Sequence, residues 1–370
     1  MSSSAPPAAR PVFTGLGVLS AFGRGLAPLL AAAGQGRTGF TEVTRFDVAR
    51  RGTRRAALLP DPPPLADAVL GAVTDAWQQA GLPDRPGDTP VLLALHSDLH
   101  TGAVADAVAG GVAALGLPGV ARVYTGACVA AATAVADAAA LVASGRHPRV
   151  LVAAGHLVEP GVFAAFDAGR ALARDGELRP FSTGRSGTLL GDAAAAVVVE
   201  ADTAAERRGA LPLARLAGWG RAGDAYHVCR PRPDGDGVAR ATRSALARAG
   251  VDPSELGYLN ANGTGSPMSD LAEARALREV FGDALAELPV SSSKSVHGHA
   301  LEASALLELV VTIAALDSER LPVNAGWLGP DPEIGLNLVL AGPDRPRPRY
   351  ALSLNSAFGG ANTALLVAAA

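Results

Sequence analysis

Lysine is almost missing from this chain. Among its 32 Lys and Arg residues only Lys294 is lysine. Cysteine is nearly as scarce: Cys128 and Cys229 are the two that exist. With so few thiols a disulfide framework is not expected, and a reduced cytoplasm is the default compartment. There is no basic excess either. A net charge of -3 argues against nucleic acid as a partner. Long apolar runs without charge are also missing, since the Ala-rich segment after Cys128 is broken by Asp137, so no membrane span is expected. The opening "MSSSAPPAARP" has neither a basic nor an apolar signal region and reads as a frayed tail.

What is present is a globular chain of 370 residues, 49% apolar, long enough for one large α/β unit or two packed halves. Short Val/Leu/Ala runs alternate with Ala-rich helical segments. Strands are expected at 11–20, 90–98, 149–157, 193–201, 213–220, 256–263, 336–342 and 350–360. Helices are expected at 65–80, 101–115, 128–145, 236–250, 269–281 and 300–316. Several strands are apolar without alternation, as happens when helices cover both faces. The stretches 59–64 and 207–210 are the best linkers. The second divides the chain into halves, 1–206 and 207–370, of comparable content, which suggests a duplicated unit.

Three motifs look functional and are not. "GWGRAG" (218–223) spells a dinucleotide fingerprint, but helix breakers follow it instead of a helix start. "HSDLH" (96–100) offers no closed metal set, and "DGDG" (234–237) lacks the other ligands of a calcium loop. The cluster "RRGTRR" (50–55) reads as a solvated loop, with an acidic partner steered to it as the other reading.

Chemistry gathers elsewhere. Cys128 stands where a strand-like segment enters a long helix, and a helix N-terminus lowers a thiol's pKa. It reads equally as a buried structural cysteine. Downstream, "NANGTGSPMSD", "SSSKSVHGHALEASALLE" and "LNSAFGGAN" each end a strand in a polar or glycine-rich loop. Strand C-terminal ends are where open α/β sheets assemble active sites.

Those segments, taken in order with "FTGLGVLSAFG", "TGACVAA" and "LRPFSTGRSGTLLGDAAAAVVVE", resemble the β-ketoacyl synthases of the thiolase superfamily over nearly the whole chain. The resemblance implies a thiolase-like five-layered αβαβα fold and a discrete, type II enzyme of fatty-acid or polyketide-type synthesis. It implies Cys128 as the acylated nucleophile, with Lys294, His299 and Glu308 in the family's Lys, second His and Glu positions. Thr264 and Asp270 fall in the Gly-Thr-Gly segment, and Phe358 and Gly359 in a shortened Gly-Gly turn. Ser182 and Asp192 are substitutions in the family's Arg-Pro-Phe-Asp and Gly-Glu-Gly segments. Asn262 occupies the place of the first catalytic histidine; an amide donates a hydrogen bond but shuttles no proton.

In the mechanism this implies, the Cys128 thiolate takes an acyl group from a phosphopantetheine thioester on an acyl carrier protein. A malonyl thioester then loses CO2 and its enolate attacks the acyl-cysteine. Backbone N–H groups of Cys128 and Phe358 hold the oxyanion, and His299 with Asn262 polarises the malonyl carbonyl. Lys294 and Glu308 set the charge and orientation of His299. No cofactor is bound by the protein itself. Asp270 reads also as a turn residue, His297 as a loop residue and Glu302 as a first-turn charge. Three roles stay open: a condensing enzyme, an acyltransferase without decarboxylation, and a non-catalytic partner resembling chain-length factors. A homodimer or heterodimer is implied, with no nucleic acid or membrane.

Overall fold

The computed structural model describes residues 9–82, 88–341 and 346–370; most of the expected N-terminal tail, residues 1–8, lies outside that set. In chain order the first half holds β1 (Pro11–Ser20), β2 (Gly23–Arg24), α1 (Leu26–Gln35), β3 (Phe40–Glu42), β4 (Arg55–Ala57), α2 (Leu65–Gln79), β5 (Val91–Leu95) and α3 (Thr101–Ala114). It continues with β6 (Val120–Tyr124), α4 (Ala130–Ala143), β7 (Arg149–His156), α5 (Pro160–Ala168), β8 (Ala193–Ala201) and α6 (Asp202–Arg207). The second half holds β9 (Ala214–Gly223), α7 (Asp236–Ala249), β10 (Tyr258–Asn260), α8 (Pro267–Phe281) and β11 (Val290–Ser291). It ends with α9 (Lys294–His297), α10 (Leu301–Leu316), β12 (Tyr350–Ser356) and β13 (Ala361–Ala368).

The strands pair in two runs, β1-β8-β7-β5-β6 and β9-β13-β12-β10-β11. The runs touch only where β1 meets β9, through Val12–Arg215 and Phe13–Ala214. In each run the first two junctions are antiparallel and the last two parallel. Helices α4 and α10 lie between the runs and pack on strands of both, while α2 and α3 cover one outer face and α7 with α8 the other. That is the αβαβα layering. Burial on both faces explains why β8, "AAAAVVVEA", carries no polar alternation: all nine of its residues are buried.

The outer helices sit unusually close to the sheets, and glycine permits it. A Cβ at Gly17 would lie 1.9 Å from the Ala72 carbonyl oxygen of α2. A Cβ at Gly220 would lie 1.9 Å from the Ala241 carbonyl oxygen of α7. No side chain fits there. Gly218 and Gly220 of "GWGRAG" therefore serve helix-on-strand packing.

The expected helices all form, within about two residues at each end. The stretch 336–341 does not form a strand; it is a loop touching β11 through one isolated bridge, Val290–Leu338, and residue 342 lies outside the described set. The run 350–360 stops at Ser356, turns at 357–360, and returns as β13. Strand β6 is the strand-like segment expected before Cys128, whereas helices α1 and α5 were not anticipated. Among the described residues no helix is long and apolar enough to cross a membrane.

Candidate active site

Cys128 sits in a 3-10 turn, Ala127–Val129, between the end of β6 and α4, two residues earlier than a plain helix start would place it. Ala127, before it, has φ 53°. A left-handed alanine costs about 1–2 kcal/mol, and such strain persists where packing over-determines the backbone. Cys128 is buried among Val158, Val162, Phe163, Leu190 and Leu301. Burial, then the Glu302 carboxylate, pushes its thiol up to about 12, against a lowering pull from Lys294. The dipole-lowered thiol expected from the sequence is thus overridden by desolvation.

The C-terminal ends of β10 and β11 bring up the polar wall. Lys294 is fully buried. Its Nζ donates to the Asn262 backbone oxygen at 2.8 Å, to Asn262 Oδ1 at 3.3 Å and to a Glu308 carboxylate oxygen at 2.8 Å. Glu308, on α10, also accepts from Asn355 Nδ2 at 2.8 Å. Asn262 Oδ1 accepts a second bond, from the Ser356 N–H at 3.2 Å. With the oxygen engaged twice, the amide orientation is set, and Nδ2 is left as the side chain's available donor.

His299 follows α9 and precedes α10. Its Nδ1 accepts the Leu301 backbone N–H at 2.9 Å, with Ser304 Oγ at 3.3 Å. A nitrogen that accepts carries no proton, so the neutral ring holds its hydrogen on Nε2. Burial first, then the Lys294 charge, keeps the imidazole well below the usual histidine range. The Phe166 ring meets His299 edge-on at 6.2 Å between centroids. Lys294 therefore acts on His299 through charge alone; orientation comes from Leu301, Ser304 and Phe166, none of which the sequence pattern singled out. Glu308 holds Lys294 and Asn355 directly and reaches His299 through Ser304.

Asp270 and Glu273, on α8, brace the loop that carries Asn262 and Thr264. Asp270 accepts the Gly265 N–H at 3.1 Å and the Phe181 N–H at 2.8 Å. Glu273 accepts the Asn262 and Gly263 N–H groups at 2.7 and 2.9 Å. Burial lifts both carboxyls to about 7. Thr264 is half-buried, and its backbone N–H also turns to Asp270. Glu273 is the missed member of this group; its signal was its place one helical turn after Asp270.

Phe358 is 49% exposed, in the turn between β12 and β13. Its ring lies 5.5 Å from that of Phe166, so an aromatic chain runs from the surface to His299. The Gly359 N–H is bonded to the Val228 oxygen at 2.7 Å, whereas the Phe358 N–H has no carbonyl partner among the described residues. Gly359, with φ 84°, shapes the turn instead of donating to the site.

Asp192, Ser182 and Asp98 are scaffold. Asp192 accepts the Leu59 and Val158 N–H groups at 2.8 and 2.7 Å and pairs with Arg45. Ser182 Oγ accepts the Leu328 N–H at 2.9 Å. In "HSDLH", Asp98 accepts the Gly161 N–H and the Val162 N–H of α5, a helix-capping role. His297 does not face a loop: it is buried, with Nδ1 2.8 Å from the Gly298 oxygen and Nε2 3.2 Å from Ser293 Oγ. Glu302 begins α10 as expected but is buried. Both cysteines are free, Cys128 buried and Cys229 exposed. Among the described residues no three His, Cys, Asp or Glu side chains are grouped to hold a metal ion.

Comparison with known proteins bears on this arrangement. The family models for the N-terminal and C-terminal domains of beta-ketoacyl synthase match residues 64–205 and 213–327. A 3-oxoacyl-[acyl-carrier-protein] synthase 2 of Staphylococcus aureus is 37% identical over 207 residues, 55% of this chain and 51% of that protein. Nodulation protein E of Rhizobium leguminosarum bv. trifolii is 39% identical over 256 residues, 68% of this chain and 62% of that protein. The chain thus spans about half to three-fifths of the length of the curated relatives it matches. The structure titled "The ishigamide ketosynthase/chain length factor" superposes with TM-score 0.90 at 28% identity, covering 98% of this chain and all of that one. Two family models in tandem and the layered fold converge: the chain is a member of the β-ketoacyl synthase family.

Proposed function

We propose that this chain is an acyltransferase of the 3-oxoacyl-[acyl-carrier-protein] synthase type, acylated on Cys128 and condensing acyl with malonyl thioesters. The observation that carries the reading is the state of His299. Its Nδ1 is occupied by the Leu301 N–H, so a neutral ring offers an Nε2–H at the position the family gives its second catalytic histidine. A neutral donor in a dry site stabilises a developing enolate oxygen without itself losing a proton. One such donor contributes roughly 3–4 kcal/mol.

The steps follow. Cys128 Sγ attacks the carbonyl carbon of an acyl thioester, and the thiol of the phosphopantetheine arm departs. A malonyl thioester then binds, its carbonyl oxygen held by His299 Nε2–H and Asn262 Nδ2–H. Loss of CO2 leaves the enolate, whose carbon attacks the acyl-cysteine carbonyl. The oxyanion rests on the Cys128 and Phe358 N–H groups, and collapse expels the Cys128 thiolate. Lys294, clamped between Glu308 and Asn262, fixes the Asn262 amide so that it points its donor at this oxygen.

The partner is an acyl carrier protein, whose phosphopantetheine supplies the thioester; the names of the curated relatives support this. A homodimer or heterodimer is supported by the exposed edge strand β6, where Ala121, Arg122 and Val123 face outward. The halves 1–206 and 207–370 are duplicated units, a reading favoured by the repeated strand order. The exposed free thiol of Cys229 suits a reducing cytoplasm.

Intact-mass spectrometry after incubation with acyl carrier protein thioesters tests the reading. The expected result is one acyl mass on the wild type and none on Cys128→Ala. No gain on the wild type, or an equal gain on the variant, removes it. If acylation occurs, malonyl carrier protein separates the roles. CO2 release with a β-keto product is condensation; transfer without CO2 is the second reading, which the amide at Asn262 motivates.

A further inference from the structure

The acylation step needs a place for the Cys128 proton, and the groups named so far do not provide one. Asn262 is an amide. His299 has its accepting nitrogen filled by the Leu301 N–H, so the ring presents a donor. Lys294 spends its donors on Asn262 and Glu308.

An unassigned carboxylate stands at the start of α10, and its charge acts on the thiol. Glu302 lies in the first turn of α10, which packs on the Ala127–Val129 turn, and Leu301 beside it shares one apolar cluster with Cys128. Glu302 is 5% exposed, and its Oε2 is buried with no hydrogen-bond partner among the described residues. A buried carboxylate oxygen left unbonded is destabilising, and a role that needs a free acceptor at this point accounts for its being kept. Building on the acyl-transfer reading above, we propose that Glu302 is the proton-transferring group of the Cys128 acylation step. As Sγ bonds to the thioester carbon, its proton moves to the Glu302 carboxylate. When the tetrahedral intermediate collapses, the carbon–sulfur bond to the arm breaks and the departing thiolate takes that proton back. Protons and charge balance without any further reactant.

The electrostatics agree. Glu302 is the strongest charge raising the Cys128 thiol, and burial raises the Glu302 carboxyl. The other groups acting on this corner are His96 at the end of β5, His156 at the end of β7, Lys294, His299 and Glu308. His156 is held neutral by burial, with both ring nitrogens unpartnered. His96 lies 6.4 Å from it between ring centroids, with Nε2 3.7 Å from the Asp98 carboxylate.

Glu302→Gln separates chemistry from packing when two reactions of Cys128 are followed. With acetylated acyl carrier protein the variant should be acylated at least about 100-fold more slowly. With iodoacetamide, which needs only the thiolate, alkylation should quicken at about pH 8 because losing the negative neighbour lowers the thiol pKa. A merely structural role slows both together. Parallel slowing, or an acylation loss under about tenfold, overturns the proposal. Should Glu302→Gln lack native circular dichroism, Glu302→Asp decides: charge retained, alkylation profile unchanged, acylation reduced at least about tenfold, with equal acylation the contrary result. Should the wild type take no acetyl group at all, the acyl-transfer reading fails. The alkylation profile still tests the coupling, and an unmoved thiol pKa in Glu302→Gln overturns the Glu302 proposal by itself.

Discussion

The Leu301 N–H points at Nδ1 of His299 from 2.9 Å, and that one backbone bond decides which ring nitrogen carries the proton. Leu301 holds φ 43°, an unusual conformation for leucine, in making it. The consequence is measurable. With its pKa well below the ordinary histidine value, His299 should show no protonation as pH falls from about 8 to 6. Nitrogen-15 shifts of the ring should report a single neutral Nε2–H form across that window. A titrating ring, or an Nδ1–H tautomer, would contradict the donor role.

Lys294 and Glu308 form a pair with both side chains fully buried. Removing one charge strands the other in a dry interior. Lys294→Met should therefore cost about 3–5 kcal/mol of unfolding free energy, measured by urea denaturation. Lys294→Met combined with Glu308→Leu should recover part of that loss, since neither charge is then left alone. Lys294→Arg should also destabilise, because a rigid planar fork replaces a compact ammonium in a fully packed site.

Asn262 can donate but cannot carry charge. Asn262→His should raise CO2 release from malonyl carrier protein if the amide limits decarboxylation; unchanged or lower release would show that it does not. Asn262→Ala should lower that same rate about 100- to 1000-fold, the usual effect of losing one preorganised donor.

Asp270 and Glu273 should make stability depend on pH. Each has a folded pKa near 7, above the unfolded values of 3.8 and 4.5. A raised folded pKa means the folded state binds the proton more tightly. Their contribution is complete below about pH 4 and is lost as pH rises to about 7. Chemical denaturation across that range should show stability falling with pH, and Glu273→Gln should flatten the slope. A slope unchanged by Glu273→Gln and Asp270→Asn would assign the pH dependence to other groups. Both variants should be less stable overall, because an amide presents N–H to a backbone N–H where the carboxylate accepted it.

How much of the site could be read in advance varies by residue. Cys128, Lys294, His299 and Glu308 were legible through motifs that resemble the family's; on position alone Cys128 read equally as a buried structural cysteine. The partners of Glu308 were not legible. Nothing in "LNSAFGG" says that Asn355 reaches Glu308, because that contact spans 47 residues between a strand and a helix. Phe166 was missed for the same reason, whereas Glu273 reaches Asn262 across only 11 residues and was missed despite its place one turn after Asp270. The strand expected at 336–342 failed because apolar content alone does not make a strand without a neighbour to pair along its length.

By itself the amino-acid order determined the alternation of strands and helices, the family motifs and the amide at 262. Those are local: they follow from periodicity, turn chemistry and side-chain identity within a few residues. Tertiary structure alone decided protonation and direction. Only packing turns a thiol at a helix start, expected to be acidic, into one pushed up to about 12. Only a backbone bond two residues on makes His299 a donor, and only the meeting of α10 with the Ala127–Val129 turn brings Glu302 to the cysteine. Desolvation and hydrogen-bond satisfaction depend on what surrounds a group in space, and the surroundings come from distant parts of the chain.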